Sequence, residues 1–159
     1  MRAGIGYDSH RFTAGRPLVL GGVNVPFPSG LAGHSDADAL LHAIGDALLG
    51  AAALGDIGTH FPDTDPRWKD ANSGDLLRAI AQKISASGYS IENIDATVIA
   101  EQPELSPYIG QMRSAIAELL QISSSQISIK GKTNEKMGWL GRGEGIACLA
   151  VALLDKTSP

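Results

Sequence analysis

The stretch Ser35–Leu49, SDADALLHAIGDALL, decides how this 159-residue chain is read. Ser35 followed three residues later by an acid has the form of a capping box. The Ala/Leu-rich run behind it predicts a long helix from Asp36 to about Leu54. Within it Asp38, His42 and Asp46 recur every four residues, a drift of roughly 40° per step, so they form one polar stripe among apolar neighbours. The same side chains interrupt the longest apolar run, Ala37 to Leu54, which therefore does not reach the ~20 apolar residues of a membrane span.

Outward from this helix the chain reads as strand on both sides. Residues 2–12 predict an opening strand, and Pro17–Leu20 with Val23–Val25 around Gly21-Gly22 predict a small hairpin. Residues 55–72, rich in Gly, Pro and Asp, read as a long functional loop. Ser73 is read as the cap of a second helix ending near Ser87 and Gly88. Ile94 to Ala100 has the apolar density of a buried strand, and Ser106-Pro107 offers a cap and first position for a third helix. Two strands, Gln126 to Lys132 and Gly145 to Asp155, close the chain. This order predicts a single α+β domain, a mixed sheet with helices packed on one face and a small N-terminal hairpin. The last strand is apolar on both sides through Ile146, Leu149, Val151 and Leu153, so the uncovered sheet face calls for self-association.

Composition narrows the function. A chain that is 43% hydrophobic with a net charge of −4 can build a core and has no broad basic surface for nucleic acid. The lone Cys148 rules out an intramolecular disulfide and a multi-thiolate zinc site, and a reducing cytoplasm fits that usage. No secretory leader is read at the amino terminus.

The chemistry is carried by Asp8, His10 and His42. Residues i and i+2 of a strand share a face about 6.5–7 Å apart, so Asp8 and His10 point the same way while Ser9 points opposite. Two imidazoles and a carboxylate with a fourth position open match catalytic rather than structural zinc. Taken singly, an Asp-x-His pair is more often an exposed pair, and a histidine among leucines more often a core residue. His34 is placed just before the expected helix start, where unpaired amides favour a phosphate. Thr133-Asn134-Glu135 follows a strand and suits phosphate oxygens and a hard cation such as Mg²⁺. The segment 141–145, GRGEG, lacks the spacing of a nucleotide P-loop and precedes a strand.

From His34-Ser35-Asp36-Ala37-Asp38 through Asp56-Ile57-Gly58 and Phe61-Pro62-Asp63-Thr64-Asp65, the chain resembles the 2-C-methyl-D-erythritol 2,4-cyclodiphosphate synthase family. Gly6–His10, Lys132–Lys136 and Gly141–Gly145 extend the resemblance over essentially the whole sequence. It implies a phosphorus-oxygen lyase of the non-mevalonate isoprenoid pathway. Such an enzyme converts 4-diphosphocytidyl-2-C-methyl-D-erythritol 2-phosphate into the cyclic diphosphate and CMP. It further implies Zn²⁺ on Asp8, His10 and His42, and a second divalent ion, Mg²⁺ or Mn²⁺, on Glu135. His34 and Thr133 correspond to transition-state stabilisers, Ser35 to a phosphate contact, and Ser9 falls in the same substrate-facing segment as Asp8 and His10. Residues Asp56, Ile57, Gly58, Phe61, Pro62, Asp63, Thr64 and Asp65 correspond to the erythritol region. Ala100, Glu101, Gln102, Pro103, Glu104, Leu105 and Ser106, with Lys132, Thr133, Asn134 and Glu135, correspond to the cytidine pocket.

The resemblance also implies a homotrimer with active sites between subunits. Arg142 and Glu144 would stand near its threefold axis, where Arg142 could meet an isoprenoid phosphate in a central cavity, with Trp139 on the same wall. Glu104 stands where relatives often carry a basic or neutral residue, and Trp139 where many carry phenylalanine. Two other readings remain open at this point: a metal-dependent phosphohydrolase using Asp38 or Asp46 as base, and a zinc-stabilised binding module. Asp38 and Asp46 are otherwise expected to orient the histidines or support the helix.

Overall fold

The structure, a computed structural model, describes residues 1–62, 64, 65, 68 and 71–157. Its elements in chain order are β1 (Arg2–Thr13), β2 (Leu18–Leu20), β3 (Val23–Val25), β4 (Gly30–Leu31), α1 (Ala39–Ala52), α2 (Ile57–His60), α3 (Ser73–Ala86), β5 (Tyr89–Ile99), α4 (Ile109–Leu120), β6 (Ile127–Lys132), α5 (Gly138–Gly141) and β7 (Gly145–Lys156). A five-stranded sheet runs β4-β1-β7-β5-β6, and β2 and β3 form a separate hairpin. Only the β5–β6 pairing is parallel among these strand pairs, so the sheet is mixed as expected. No helix among the described residues is long and apolar enough to cross a membrane.

Alternation along β1 explains how the sheet is covered. Gly6 is buried and Gly4, Asp8 and His10 are partly buried on the α1 side, while Ile5 and Tyr7 are exposed on the other. A side-chain carbon added at Gly4 would fall 2.1 Å from the carbonyl oxygen of Ala47, and one at Gly6 would fall 1.9 Å from that of Ala43. The backbone of α1 therefore lies directly on β1, with Ala43, Ala47 and Ala51 as its contact row. Beneath it Ile44, Leu48, Ile94, Val98 and Leu154 join one continuous core. Ile5 and Val151, paired across β1 and β7, remain 70% and 47% exposed on the opposite face, beside exposed Tyr7 and Leu149.

Several expected boundaries are corrected by local hydrogen bonding. The first helix does not begin at Asp36 with Ser35 as cap. Ala37 adopts a left-handed conformation (φ 58°), which no right-handed helix passes through, and Ser35 Oγ accepts the nearby Ala37 N–H. Asp38 is the true cap, accepting from the Leu41 amide, and the helix closes at Ala52 instead of Leu54. Asn72, not Ser73, caps α3. Ser106 does not cap α4, because its hydroxyl donates to Glu104 and the helix starts at Ile109. The strand expected from Ile94 begins at Tyr89, and the loop expected over 55–72 contains the short helix α2. The short elements β4 and α5 carry no periodicity by which the sequence predicts them.

Candidate metal centre and substrate site

Packing of α1 on the two glycines of β1 lets His42 reach across to the strand. Asp8 Oδ2 lies 2.9 Å from His10 Nε2 and 3.0 Å from His42 Nδ1. Ligand atoms of the three residues all fall within 4.8 Å of one another, the one such cluster among the described residues. The other oxygen of Asp8 accepts the Ser9 amide at 2.9 Å, leaving Oδ2 aimed between the rings. Burial works against ionisation of Asp8, but the two imidazoles outweigh it and hold the carboxyl well below its usual range.

The tautomer of His10 tests whether a metal fits. Its Nδ1 stands 2.7 Å from the carbonyl oxygen of Ala32, an acceptor only, so Nδ1 carries the hydrogen. The neutral ring then turns the lone pair of Nε2 toward a carboxylate oxygen. That nitrogen is buried and, despite its 2.9 Å approach to Asp8, makes no aligned hydrogen bond. Two electron pairs face each other with nothing between, an arrangement that a proton or a metal cation satisfies. The Asp8 carboxylate accordingly raises the His10 pKa against the opposing effect of burial. One carboxylate and two neutral imidazoles suit Zn²⁺ and would leave it a net positive charge toward phosphate.

Other expected site residues fall into separate neighbourhoods. His34 is exposed and precedes the Asp38 cap by four residues, so it does not stand immediately before the helix cap as expected. The first-turn amide of Leu41 is taken by Asp38 itself, not left for an incoming anion. Arg16 steadies the His34-Ser35 segment by donating to the carbonyls of Gly33 and Ser35. Asp38 and Asp46 do not orient the histidines through hydrogen bonds. Asp38 accepts the amides of Gly21, Gly22 and Leu41, tying the β2–β3 turn to α1, and Asp46 accepts the Ile57 amide. Both carboxylates are thus committed to backbone donors, which weakens either as the base of a phosphohydrolase.

In the expected erythritol region, Asp56 caps α2 through the amide and hydroxyl of Thr59, which lower its pKa. Phe61 is buried and meets Trp68 edge-on at 5.0 Å; Pro62 is half-buried, Asp65 donates its amide to Pro62, and Thr64 is exposed. Asp63 lies outside the described residues. The expected cytidine segments do converge. Ala100, Glu101, Pro103, Glu104, Leu105 and Ser106 line a cavity of about 300 Å³ with Lys132 and Thr133, while Gln102, Asn134 and Glu135 are not among its lining residues.

Beyond that cavity, Glu101 Oε1 accepts the amides of Asn134 and Lys136 at 2.8 and 3.1 Å, clamping the turn that carries Glu135. Glu135 and Lys136 both hold left-handed conformations there (φ 50° and 60°), and Thr133 Oγ1 donates to Glu135 at 3.0 Å. Ser9 and Trp139 line another open cavity with His10, Arg11, Phe12, Gly143 and Glu144. The Arg142 guanidinium is exposed and pairs with Glu144 at 2.6 Å.

Ser73 and Asp36 reach the site although the sequence points to no site role for either. Ser73, buried at 1% exposure, places Oγ 2.9 Å from His42 Nε2 and also bonds Asp36. A serine before a helical run signals a cap, and nothing local in the sequence distinguishes a serine that turns inward toward a ligand.

Fold and centre together define a small α+β protein with a candidate three-ligand metal site at a strand–helix junction. The chain belongs to the YgbB family, whose model matches residues 1–155. It is 60% identical over 154 residues to the 2-C-methyl-D-erythritol 2,4-cyclodiphosphate synthase of Neisseria gonorrhoeae, covering 97% of this chain and 96% of that relative. A bifunctional IspDF from Campylobacter jejuni superposes with a TM-score of 0.95 at 43% identity; 99% of this chain matches 42% of that longer one. An IspF of Plasmodium falciparum solved as a CDP complex gives a TM-score of 0.88 at 38% identity, covering 99% and 97% of the two chains.

Proposed function

We propose that this protein catalyses the metal-dependent cyclisation of 4-diphosphocytidyl-2-C-methyl-D-erythritol 2-phosphate to 2-C-methyl-D-erythritol 2,4-cyclodiphosphate, with release of CMP. The observation that carries the reading is the buried, unsatisfied Nε2 of His10 facing Asp8 and His42 in a chain of this family. A 2-phosphate oxygen forms a bond to the β-phosphorus as the bond from that phosphorus to the bridging oxygen breaks. The electron pair leaves on the α-phosphate of CMP. Because a phosphate nucleophile is already ionised, no strong base is required, in keeping with the backbone commitments of Asp38 and Asp46. Zn²⁺ on Asp8, His10 and His42, with Mg²⁺ or Mn²⁺ on Glu135, would supply Lewis-acid neutralisation of the reacting diphosphate.

The protein's own contribution is positioning and exclusion. Lys132, Thr133 and the 100–106 segment enclose the cavity proposed for cytidine, a role in keeping with the CDP complex of the Plasmodium relative. Asp56 and the 61–65 segment are assigned to the erythritol hydroxyls, His34 and Thr133 to the transferring phosphoryl group, and Ser35 to a phosphate oxygen.

The active site is assembled between copies of the chain. His10 pairs with Ile146, and Ile99 pairs with both Ala147 and Lys132, so the metal ligands and Thr133 lie at one end of the sheet. They are separated by the spacings β1 to β7, β7 to β5 and β5 to β6, roughly 14 Å in total, too far to grip one diphosphate without another subunit. The exposed Ile5, Tyr7, Leu149 and Val151 supply an apolar face for a homotrimer. Val151→Asp is expected to convert that trimer to monomer and abolish turnover. Sedimentation equilibrium checks this, and a variant that stays trimeric would remove the face from the interface. Arg142 is assigned to an isoprenoid phosphate at the threefold axis. Unchanged binding of that ligand by Arg142→Ala would overturn the assignment.

Incubation with the cytidylyl substrate, with and without chelator, tests the reaction. Cyclic diphosphate and CMP, lost on chelation, are expected; linear phosphate release would indicate a hydrolase, and no turnover by the metal-loaded protein a binding module.

A further inference from the structure

We propose that Ser73 and Asp36 are positioning residues, forming a hydroxyl–carboxylate relay that holds His42 in the tautomer able to bind metal through Nδ1. The inference rests on the metal reading of His42 and adds to it a reason why that ring is correctly protonated. Ser73 Oγ stands between two groups, 2.9 Å from His42 Nε2 on one side and hydrogen-bonded to Asp36 Oδ1 on the other. A hydroxyl has a single hydrogen to donate.

Asp36 decides where that hydrogen goes. Its Oδ2 accepts the Ser73 amide at 3.1 Å and its Oδ1 the Asp38 amide at 3.3 Å, so both oxygens act as acceptors. Ser73 must therefore donate to the carboxylate, since the alternative would press two electron-rich oxygens together. Only acceptor capacity then remains on Ser73 toward His42, which draws the hydrogen of the imidazole to Nε2 in competition with the Asp8 carboxylate, whose 3.0 Å contact draws it to Nδ1. With the hydrogen held on Nε2, the lone pair is on Nδ1, the nitrogen that faces Asp8 Oδ2 inside the ligand cluster. Ser35 Oγ, at 3.5 Å from Nε2, is too distant to replace Ser73. Because Ser73 is buried, water does not readily substitute for it.

The relay also ties distant segments to one function. Asp36 belongs to the irregular turn created by the left-handed Ala37, whereas Ser73 is the first residue of α3. Their bond fixes the start of α3 against the approach to α1, so the helix that carries His42 and the group that orients it are set together. His10 is treated by a different device, donation from Nδ1 to the Ala32 carbonyl. Each imidazole thus has its non-ligating nitrogen anchored, and the two rings offer opposite nitrogens to the metal.

Zinc affinity by chelator competition and long-range ¹⁵N–¹H NMR of the histidines, on the full-length protein, test the relay. Ser73→Ala and Asp36→Asn are each expected to raise the zinc Kd by about 10- to 100-fold. The double variant should be no weaker than Ser73→Ala, because the two residues act in series. Ser73→Thr, which keeps the hydroxyl, should recover most of the affinity. In the wild type with the imidazole neutral, His42 should carry its hydrogen on Nε2, and Asp36→Asn should introduce the Nδ1–H form.

Wild-type zinc affinity in Ser73→Ala, or an Nδ1–H form of His42 in the wild type, would overturn the relay. A wild-type protein that binds no zinc would instead overturn the metal reading beneath it. Should Ser73→Ala fail to fold, the wild-type spectrum and Asp36→Asn still decide.

Discussion

His42→Ala is expected to remove stoichiometric zinc and turnover together while leaving the fold intact. The substitution deletes one of the two imidazoles that converge on Asp8 Oδ2, and the remaining pair of Asp8 and His10 has neither the charge nor the geometry to hold the ion. Its loss of affinity should exceed the about 10- to 100-fold cost of removing an outer partner such as Ser73. His42 is only partly buried and contributes no apolar packing comparable with Ile44 or Leu48, so far-ultraviolet circular dichroism should be unchanged. Metal analysis after dialysis, beside an assay of CMP release, reads both effects. Full zinc content in the variant would show that the ligand set is wrong; lost zinc with undiminished turnover would show that the site is not catalytic.

Gly6→Ala is expected to be the most destabilising single methyl group in the protein. The added carbon would sit 1.9 Å from the Ala43 carbonyl oxygen and 2.7 Å from the Ala47 nitrogen, atoms of helix backbone that cannot rotate away. Either α1 lifts from β1 or the strand bends, at a cost of about 3 kcal/mol or more. For a chain of this length that corresponds to a fall in Tm of roughly 6–12 °C. Displacement of α1 also moves His42 from Asp8, so zinc affinity should fall although no ligand has been touched. Calorimetry and zinc titration of the same preparation check the pair of effects. A stable variant with normal zinc binding would mean that helix and strand are not in the contact described.

Much of this was legible along the chain. Alternation places Asp8 and His10 on one face of β1, and the Ala/Leu period identifies the helix bearing His42. The closing strand from Gly145 and its two apolar sides were also readable, since β7 buries Ile146, Cys148 and Ala150 while exposing Leu149 and Val151. Capping was less legible because several polar side chains compete for the same amides. Ser35, Ser73 and Ser106 each stood where a cap is expected, and each bonds elsewhere. Their partners are the amide of the left-handed Ala37, an aspartate 37 positions away, and a nearby glutamate. The periodicity of the helices does not encode these choices.

The family and the identities of the candidate ligands were determined by sequence alone, because order, spacing and residue chemistry are properties of the chain itself. Tertiary structure decided that Asp8, His10 and His42 meet, through the glycine–alanine seam that brings α1 onto β1. It also decided that Ser73 faces His42, and that Thr133 stands away from the metal ligands across the sheet. These outcomes depend on contacts such as His42 with Asp8, 34 positions apart, where packing and strand register set distances that local periodicity does not contain.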